Sequence, residues 1–169
     1  MNKKPTPEAK TERAIFAAGC FWGVEHHFGR KAGVISTTVG YIGGHVDNPT
    51  YKQVCTDTTG HAEAIEVVYD PAKVSYGELT KLFFEIHNFT EVDRHGPDIG
   101  TQYRSEIFYL NDEQKQVAED IIEQLKNKDY DVKTFVTKAA KFWKGEGCHQ
   151  DYYDKNGQSP NCHIYKKIF

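Results

Sequence analysis

Ala14-Ile15-Phe16-Ala17-Ala18-Gly19-Cys20-Phe21-Trp22-Gly23 is the stretch whose reading decides the fold. The apolar run 14–18 reads as a short buried strand. Beyond it, Val24 and Phe28 stand four apart, the spacing of a helix's inner face, and predict a helix from about Phe21 to Arg30. Cys20 therefore falls at a strand-to-helix turn, with Gly19 allowing the bend. A thiol there meets unpaired backbone N–H groups and the positive end of the helix dipole, which favour its thiolate. Phe21 and Trp22 set a small apolar wall beside the sulfur. From these residues alone, a free cysteine buried inertly in the core stays open as the alternative.

A chain of 169 residues is long enough for one domain with a sizeable core. Hydrophobic residues make up 38% and charged ones 27%, a balance that argues against disorder of the whole chain. A net charge of -3, with no block of Lys or Arg, argues against a nucleic-acid or anionic-membrane surface. No apolar stretch reaches bilayer length, and the polar segment from Met1 to Arg13 lacks the apolar region of a signal peptide. The expected compartment is the cytoplasm. There Cys20, Cys55, Cys148 and Cys162 are read as reactive, metal-bound or buried rather than as structural disulfides.

Outward from the opening stretch, residues 1–12 read as a flexible lead-in. A second strand is expected from Val34 to Val39, and then a long segment, Tyr41 to Gly60, without period. A loop of that length inside a compact domain is usually functional. His61, Glu63, Ile65, Val67 and Tyr69 share one face of the next strand. A carboxyl on so apolar a face holds its proton more tightly; a solvated strand-end Glu is the competing reading. Ser75 to Glu78 fits a capping box, and Leu79, Leu82, Phe83 and Ile86 follow the helical stripe. After the loop His95 to Gly100 come a strand over about 102–110 and a helix capped near Asn111, whose stripe is Ala118, Ile121, Ile122 and Leu125. An edge strand is expected within Asp131 to Thr137, and the segment 144–169 reads as a loop-like tail. The order β-α-β-(loop)-β-α-β-α-β predicts an α+β two-layer sandwich with a ferredoxin-like, split βαβ core and a loop-rich C-terminal tail.

Several chemistries compete for these residues. Cys148-His149 and Cys162-His163 contain the elements of a zinc site but lack the usual C-x2–4-C hairpin. His26 and His27 are adjacent rather than four apart and read as surface residues. Cys20 with one of the 8 His makes a weak hydrolase signal. A redox reading joins more features: a thiol at a helix start, oxidised to sulfenic acid, needs a second thiol to resolve it, and two lie in a Gly/Pro-punctuated tail. Within redox chemistry a thiol peroxidase is the runner-up, though it needs no aromatic wall. A zinc-stabilised binding module is the alternative from another class.

Gly-Cys-Phe-Trp-Gly at 19–23, Asn-Pro-Thr-Tyr at 48–51, Thr-Gly-His-Ala-Glu at 59–63 and Gly-Thr-Gln-Tyr-Arg-Ser at 100–105, in this order, resemble the A-class peptide methionine sulfoxide reductases. The resemblance implies thiol-dependent reduction of the S epimer of methionine sulfoxide, free or in proteins. It also implies thioredoxin as electron donor, with no metal or organic cofactor; a monomer is the expected state, which the sequence alone does not fix. By resemblance Cys20 is the nucleophile, and Phe21 and Trp22 hold the substrate methyl group. Glu63 is the acid, with Tyr51 and Tyr103 as its hydroxyl partners, and Asp98 is a further carboxylate of the site. Cys162 matches a C-terminal resolving thiol. Cys148 departs from the aromatic or acidic residue often found before His149-Gln150, which leaves two tail thiols for the resolving role.

Overall fold

A computed structural model describes residues 10–169. Most of the expected lead-in, residues 1–9, lies outside the described residues. In chain order the elements are β1 (Glu12–Ala18), α1 (Phe21–Gly29), β2 (Val34–Ile42), α2 (Tyr51–Cys55), β3 (Ala62–Tyr69), α3 (Tyr76–Glu85), β4 (Arg94–His95), β5 (Asp98–Ile99), β6 (Ser105–Tyr109), α4 (Asp112–Asn127), β7 (Phe135–Lys138), β8 (Trp143–Lys144) and α5 (Tyr152–Asn156). Short 3-10 turns cover Thr101–Tyr103 and Gly147–His149.

The architecture is α+β, with a mixed six-stranded sheet in the order β7-β6-β1-β3-β2-β8. Its neighbours pair antiparallel except β6 and β7, which run parallel. β1 is apolar and buried from Ala14 to Ala18 because both faces of a central strand are covered. One face sends Ala14, Phe16 and Ala18 into the helix layer, where Phe16 stacks on Phe28 of α1 at 5.2 Å and on Phe83 of α3 at 5.3 Å. Ala118, Ile121, Ile122 and Leu125 of α4 close the same layer, as their spacing predicts. The other face, with Ile15, Ala17, Ile42, Ala62, Ala64 and Phe108, is covered by Ala139 and Phe142.

The helix starts carry local signals. Ser75 accepts from Glu78 N at 3.0 Å and Asn111 from Gln114 N at 2.9 Å. The segment without period contains a helix after all: Thr50 and Gln53 form a reciprocal capping box, with bonds of 3.2 and 2.9 Å, that starts α2.

The segment read as a loop-like tail begins as structure. β8 pairs with Gly40 and Tyr41, and Gln150 extends that edge by lending its side-chain amide to the backbone of Val39, Oε1 accepting at 2.9 Å and Nε2 donating at 2.9 Å. Residues 157–169 form no helix or strand, yet side chains and backbone bonds fix them to the body. His163 Nε2 bonds Ala18 O at 2.6 Å, Lys166 N donates to Glu85 O at 2.8 Å, and Ile168 N to Glu85 Oε2 at 3.0 Å. His27, expected at the surface, bonds the carbonyl of His163 at 2.6 Å.

Candidate active site

Cys20 stands at the N-cap of α1, where φ +87 at Gly19 turns the chain from β1 into the helix. A side chain at Gly19 would meet His95, and one at Gly23 would collide with the His163 ring, so both glycines are required by close approach. His95 and His163 stack at 4.4 Å and cover this turn from outside. The expectation of a favoured thiolate is corrected. Burial, aided by the carboxylates of Glu63 and, to a lesser degree, Asp98, pushes the Cys20 thiol up to about 12, against the opposing pull of the N–H groups of Trp22 and Gly23 at the helix start. Desolvation of an anion outweighs the dipole here.

Glu63 sits in β3 opposite Tyr41 and is 1% exposed, which decides against the solvated strand-end reading. Its face is the one the alternation predicts, shared with His61, Ile65, Val67 and Tyr69. Burial is the main cause that raises its carboxyl to about 8; Asp98 adds to this, and the Phe21 N–H and the Tyr103 hydroxyl draw it back. Its Oε2 has no hydrogen-bond partner. Tyr51 opens α2 and Tyr103 closes the 3-10 turn; desolvation raises both phenols, with Glu63 the next cause, so each hydroxyl keeps its proton. Asp98 reaches the same place from the short β4–β5 hairpin.

Sequence reasoning missed the residue that fastens these parts. Arg104 is 12% exposed and pairs with Glu106, 8% exposed, at 2.6 Å. The same guanidinium donates to Thr101 O at 2.9 Å and Gly60 O at 3.0 Å. It thus ties the turn that bears Tyr103 to the strand that bears Glu63. The signal was present in Gly-Thr-Gln-Tyr-Arg-Ser, but nothing local shows which backbone an Arg will bond.

Phe21, Trp22 and Tyr51 gather side by side: Phe21–Trp22 at 6.5 Å, Phe21–Tyr51 at 6.3 Å and Trp22–Tyr51 at 6.4 Å between ring centres. The segment 146–152 completes the wall. Tyr152 lies flat on Trp22 at 3.8 Å and 8°. Trp22 Nε1 donates to His149 Nδ1 at 3.2 Å, and the His149 ring packs on Tyr51 at 4.3 Å. Glu146 accepts from the Tyr41 hydroxyl at 3.0 Å and from Tyr51 N at 3.1 Å, so it anchors both the strand and the helix that face Glu63.

The tail cysteines occupy different surroundings. Cys162 is half-buried beside the anchored His163, and both its sulfur and that of Cys20 act on the Tyr153 hydroxyl. Cys148 is exposed, on the turn between Glu146 and His149. Cys55, at the end of α2, is exposed. His149 and His163 are engaged by Trp22 and Ala18 instead of converging. Among the described residues no three His, Cys, Asp or Glu side chains are grouped to hold a metal ion.

Comparison with known proteins places this geometry. A family described as peptide methionine sulfoxide reductase matches residues 12–168. Peptide methionine sulfoxide reductase MsrA of Geobacter metallireducens is 50% identical over 155 residues, covering 90% of this chain and 94% of that one. Among solved structures, reduced Mxr1 from Saccharomyces cerevisiae superimposes with a TM-score of 0.87 at 34% identity, over 97% of this chain and 96% of its own. Mxr1 in complex with Trx2 gives 0.63 at 23% identity, over 99% and 96%, a likeness of fold. With a thiol, a buried carboxyl and stacked aromatics gathered at one end of its sheet, the chain belongs to the peptide methionine sulfoxide reductase family.

Proposed function

We propose that the protein reduces methionine S-sulfoxide, free or within oxidised proteins, through a sulfenic acid on Cys20 and an intramolecular disulfide. The observation that carries this reading is Glu63: buried, with Oε2 unpartnered and a carboxyl that keeps its proton to about pH 8, next to Cys20. A sulfoxide oxygen leaves its sulfur only once protonated, so a neutral carboxylic acid is the group the reaction needs. Glu63 gives its proton to that oxygen, assisted by the hydroxyls of Tyr51 and Tyr103, while the Cys20 thiol proton replaces it. The Cys20 sulfur attacks the substrate sulfur, the oxygen passes to Cys20 as a sulfenic acid, and the sulfide departs. Cys20 loses two electrons and the sulfoxide gains them.

Phe21 and Trp22 hold the methyl group, and Asp98 keeps the Glu63 proton in place by its charge. The Cys162 thiol then condenses with the sulfenic acid, releasing water and forming a disulfide. Cys148 takes over that disulfide by exchange and presents it at the surface to a thioredoxin, a reductant for which Mxr1 in complex with Trx2 is the support among relatives. The chain works as one domain and a monomer in the cytoplasm. The strand order supports reading β6-β1-β3-β2 with α1 and α3 as a split βαβ core.

Incubation with each epimer of methionine sulfoxide and dithiothreitol tests the function. Consumption of the S epimer alone is expected; reduction of the R epimer, or of neither, overturns it.

A further inference from the structure

A cavity of about 530 Å³ lies beside the site just described and takes no part in the proposed reaction. Trp22 lines it and belongs to the aromatic wall as well. From there the wall follows one stripe of α1, through Glu25, His26 and Arg30, at the i, i+3, i+4 and i+8 positions, while Phe21, Val24 and Phe28 face the core. Gly29 completes the stripe and leaves room, since a Cβ there would touch only Thr37 Oγ1 at 4.0 Å. Opposite stand the start of β2 and the segment Asp151–Asp154.

The chemistry of the walls is uneven. Glu25 is 4% exposed; its Oε1 accepts from Asp151 N, and Oε2 has no hydrogen-bond partner. Asp151 and Asp154 add two carboxylates against the single fixed cation of Arg30, which bridges to Asp154 at 2.8 Å where both side chains are exposed. His26 supplies no charge, because burial and the neighbouring Arg30 hold its imidazole below the usual range. Burial likewise raises Glu25 to about 7, the direction expected of a carboxylate that lacks a counter-charge. Val34 and exposed Ile35 give the same cavity an apolar flank.

We propose that this cavity is a substrate subsite that takes the Lys or Arg side chain of a polypeptide whose oxidised methionine is at Cys20. The aliphatic stem lies on Val34 and Ile35 while the cation faces Glu25 and Asp154. The inference rests on the reductase reading and adds a sequence preference to it. Its span is set by the helix: from Trp22 to Arg30 is about 12 Å at ~1.5 Å per residue. An extended peptide at ~3.3 Å per residue covers that in three or four residues. The preference therefore belongs to positions up to about four from the sulfoxide.

The test uses peptides that carry one methionine S-sulfoxide with Lys, Ala or Glu two to four residues away, together with free methionine sulfoxide. A three- to tenfold higher kcat/KM for Lys than for Glu peptides, carried by KM, is expected, the size of about one partly solvated ion pair. That ratio is expected to fall towards one in Glu25→Gln, which retains an acceptor for Asp151 N, and in the surface variant Asp154→Asn. Equal kcat/KM for all three peptides, with free sulfoxide still reduced, overturns the subsite and leaves the reductase reading standing. Calorimetric binding of the same peptides to Cys20→Ser needs no turnover: tighter binding of the Lys peptide supports the subsite, and equal binding overturns it even if no sulfoxide is reduced.

Discussion

Glu63 is where burial becomes chemistry, and its proton can be followed in two ways. Its carboxyl rises from the ordinary range to about 8 in the folded protein. Between pH 4.5 and 8 the unfolded chain has released this proton and the folded chain holds it, so folding weakens as pH rises through that window and levels off above it. Glu63→Gln lacks the penalty. Its melting temperature is expected to gain on wild type between pH 5 and 8, by an equivalent of a few kcal/mol at most. In activity the sign reverses. The acid is lost as Glu63 ionises, so single-turnover reduction is expected to decline above about pH 8, and Glu63→Gln to run ~10²–10⁴-fold slower with no such limb. A wild-type rate in that variant would show that the proton comes from elsewhere. Cys20→Ser is expected to abolish turnover altogether, measured as release of methionine. At Gly23 the issue is space: Gly23→Ala would drive a methyl group into His163 and is expected to cost ~1–3 kcal/mol in urea unfolding, chiefly by displacing the tail.

Among the elements, α2 shows how little a sequence needs in order to place a functional group. Its five residues put Tyr51 against the Phe21 ring only because Thr50 and Gln53 close the first turn. Thr50→Ala is expected to lose about 1 kcal/mol of stability. The same variant should raise KM for sulfoxide more than it lowers stability would suggest, through a loosened Tyr51, read from steady-state kinetics. The box Thr-x-x-Gln was visible in the sequence, but a search by hydrophobic period passes over a helix too short to show one. Where the period is long the reading holds: the buried stripes of α3 and α4, the alternation of β3 and the apolar run of β1 are local patterns with local causes. The wall behind Trp22 is different. Glu146, His149, Gln150 and Tyr152 meet β2, α2 and α1 across more than ninety residues of chain, and no spacing rule encodes a partner that distant. The proton on Cys20 was misread for a related reason. A helix start is a property of the local sequence, whereas the burial that outweighs it is a property of the whole fold.

On the scale of the whole molecule, the sheet and helix layer bring groups from β1, α1, α2, β3 and the β4–β5 hairpin to one end, and the C-terminal segment returns across that end. The order of the tail thiols can be read there. After one equivalent of substrate, Cys148→Ser is expected to form a Cys20–Cys162 disulfide at the wild-type rate, and Cys162→Ser to accumulate sulfenic acid. Peptide mapping of the trapped bridges measures both; a fast Cys20–Cys148 bridge in Cys162→Ser reverses the order. Cys162 itself lies between two fixed points, the Gln158 N bond to Tyr153 O at 3.1 Å and the His163 bond to Ala18 O at 2.6 Å. So short a tether holds its sulfur near the turn of Cys20 at an effective concentration on the order of millimolar or above, before any reductant arrives. If Cys162 is the resolving thiol, a sulfenic acid formed on Cys20 would meet it before a second oxidant. On the proposed mechanism, the anchoring of His163 would then guard Cys20 against the irreversible step to sulfinic acid under the same oxidative conditions that generate methionine sulfoxide.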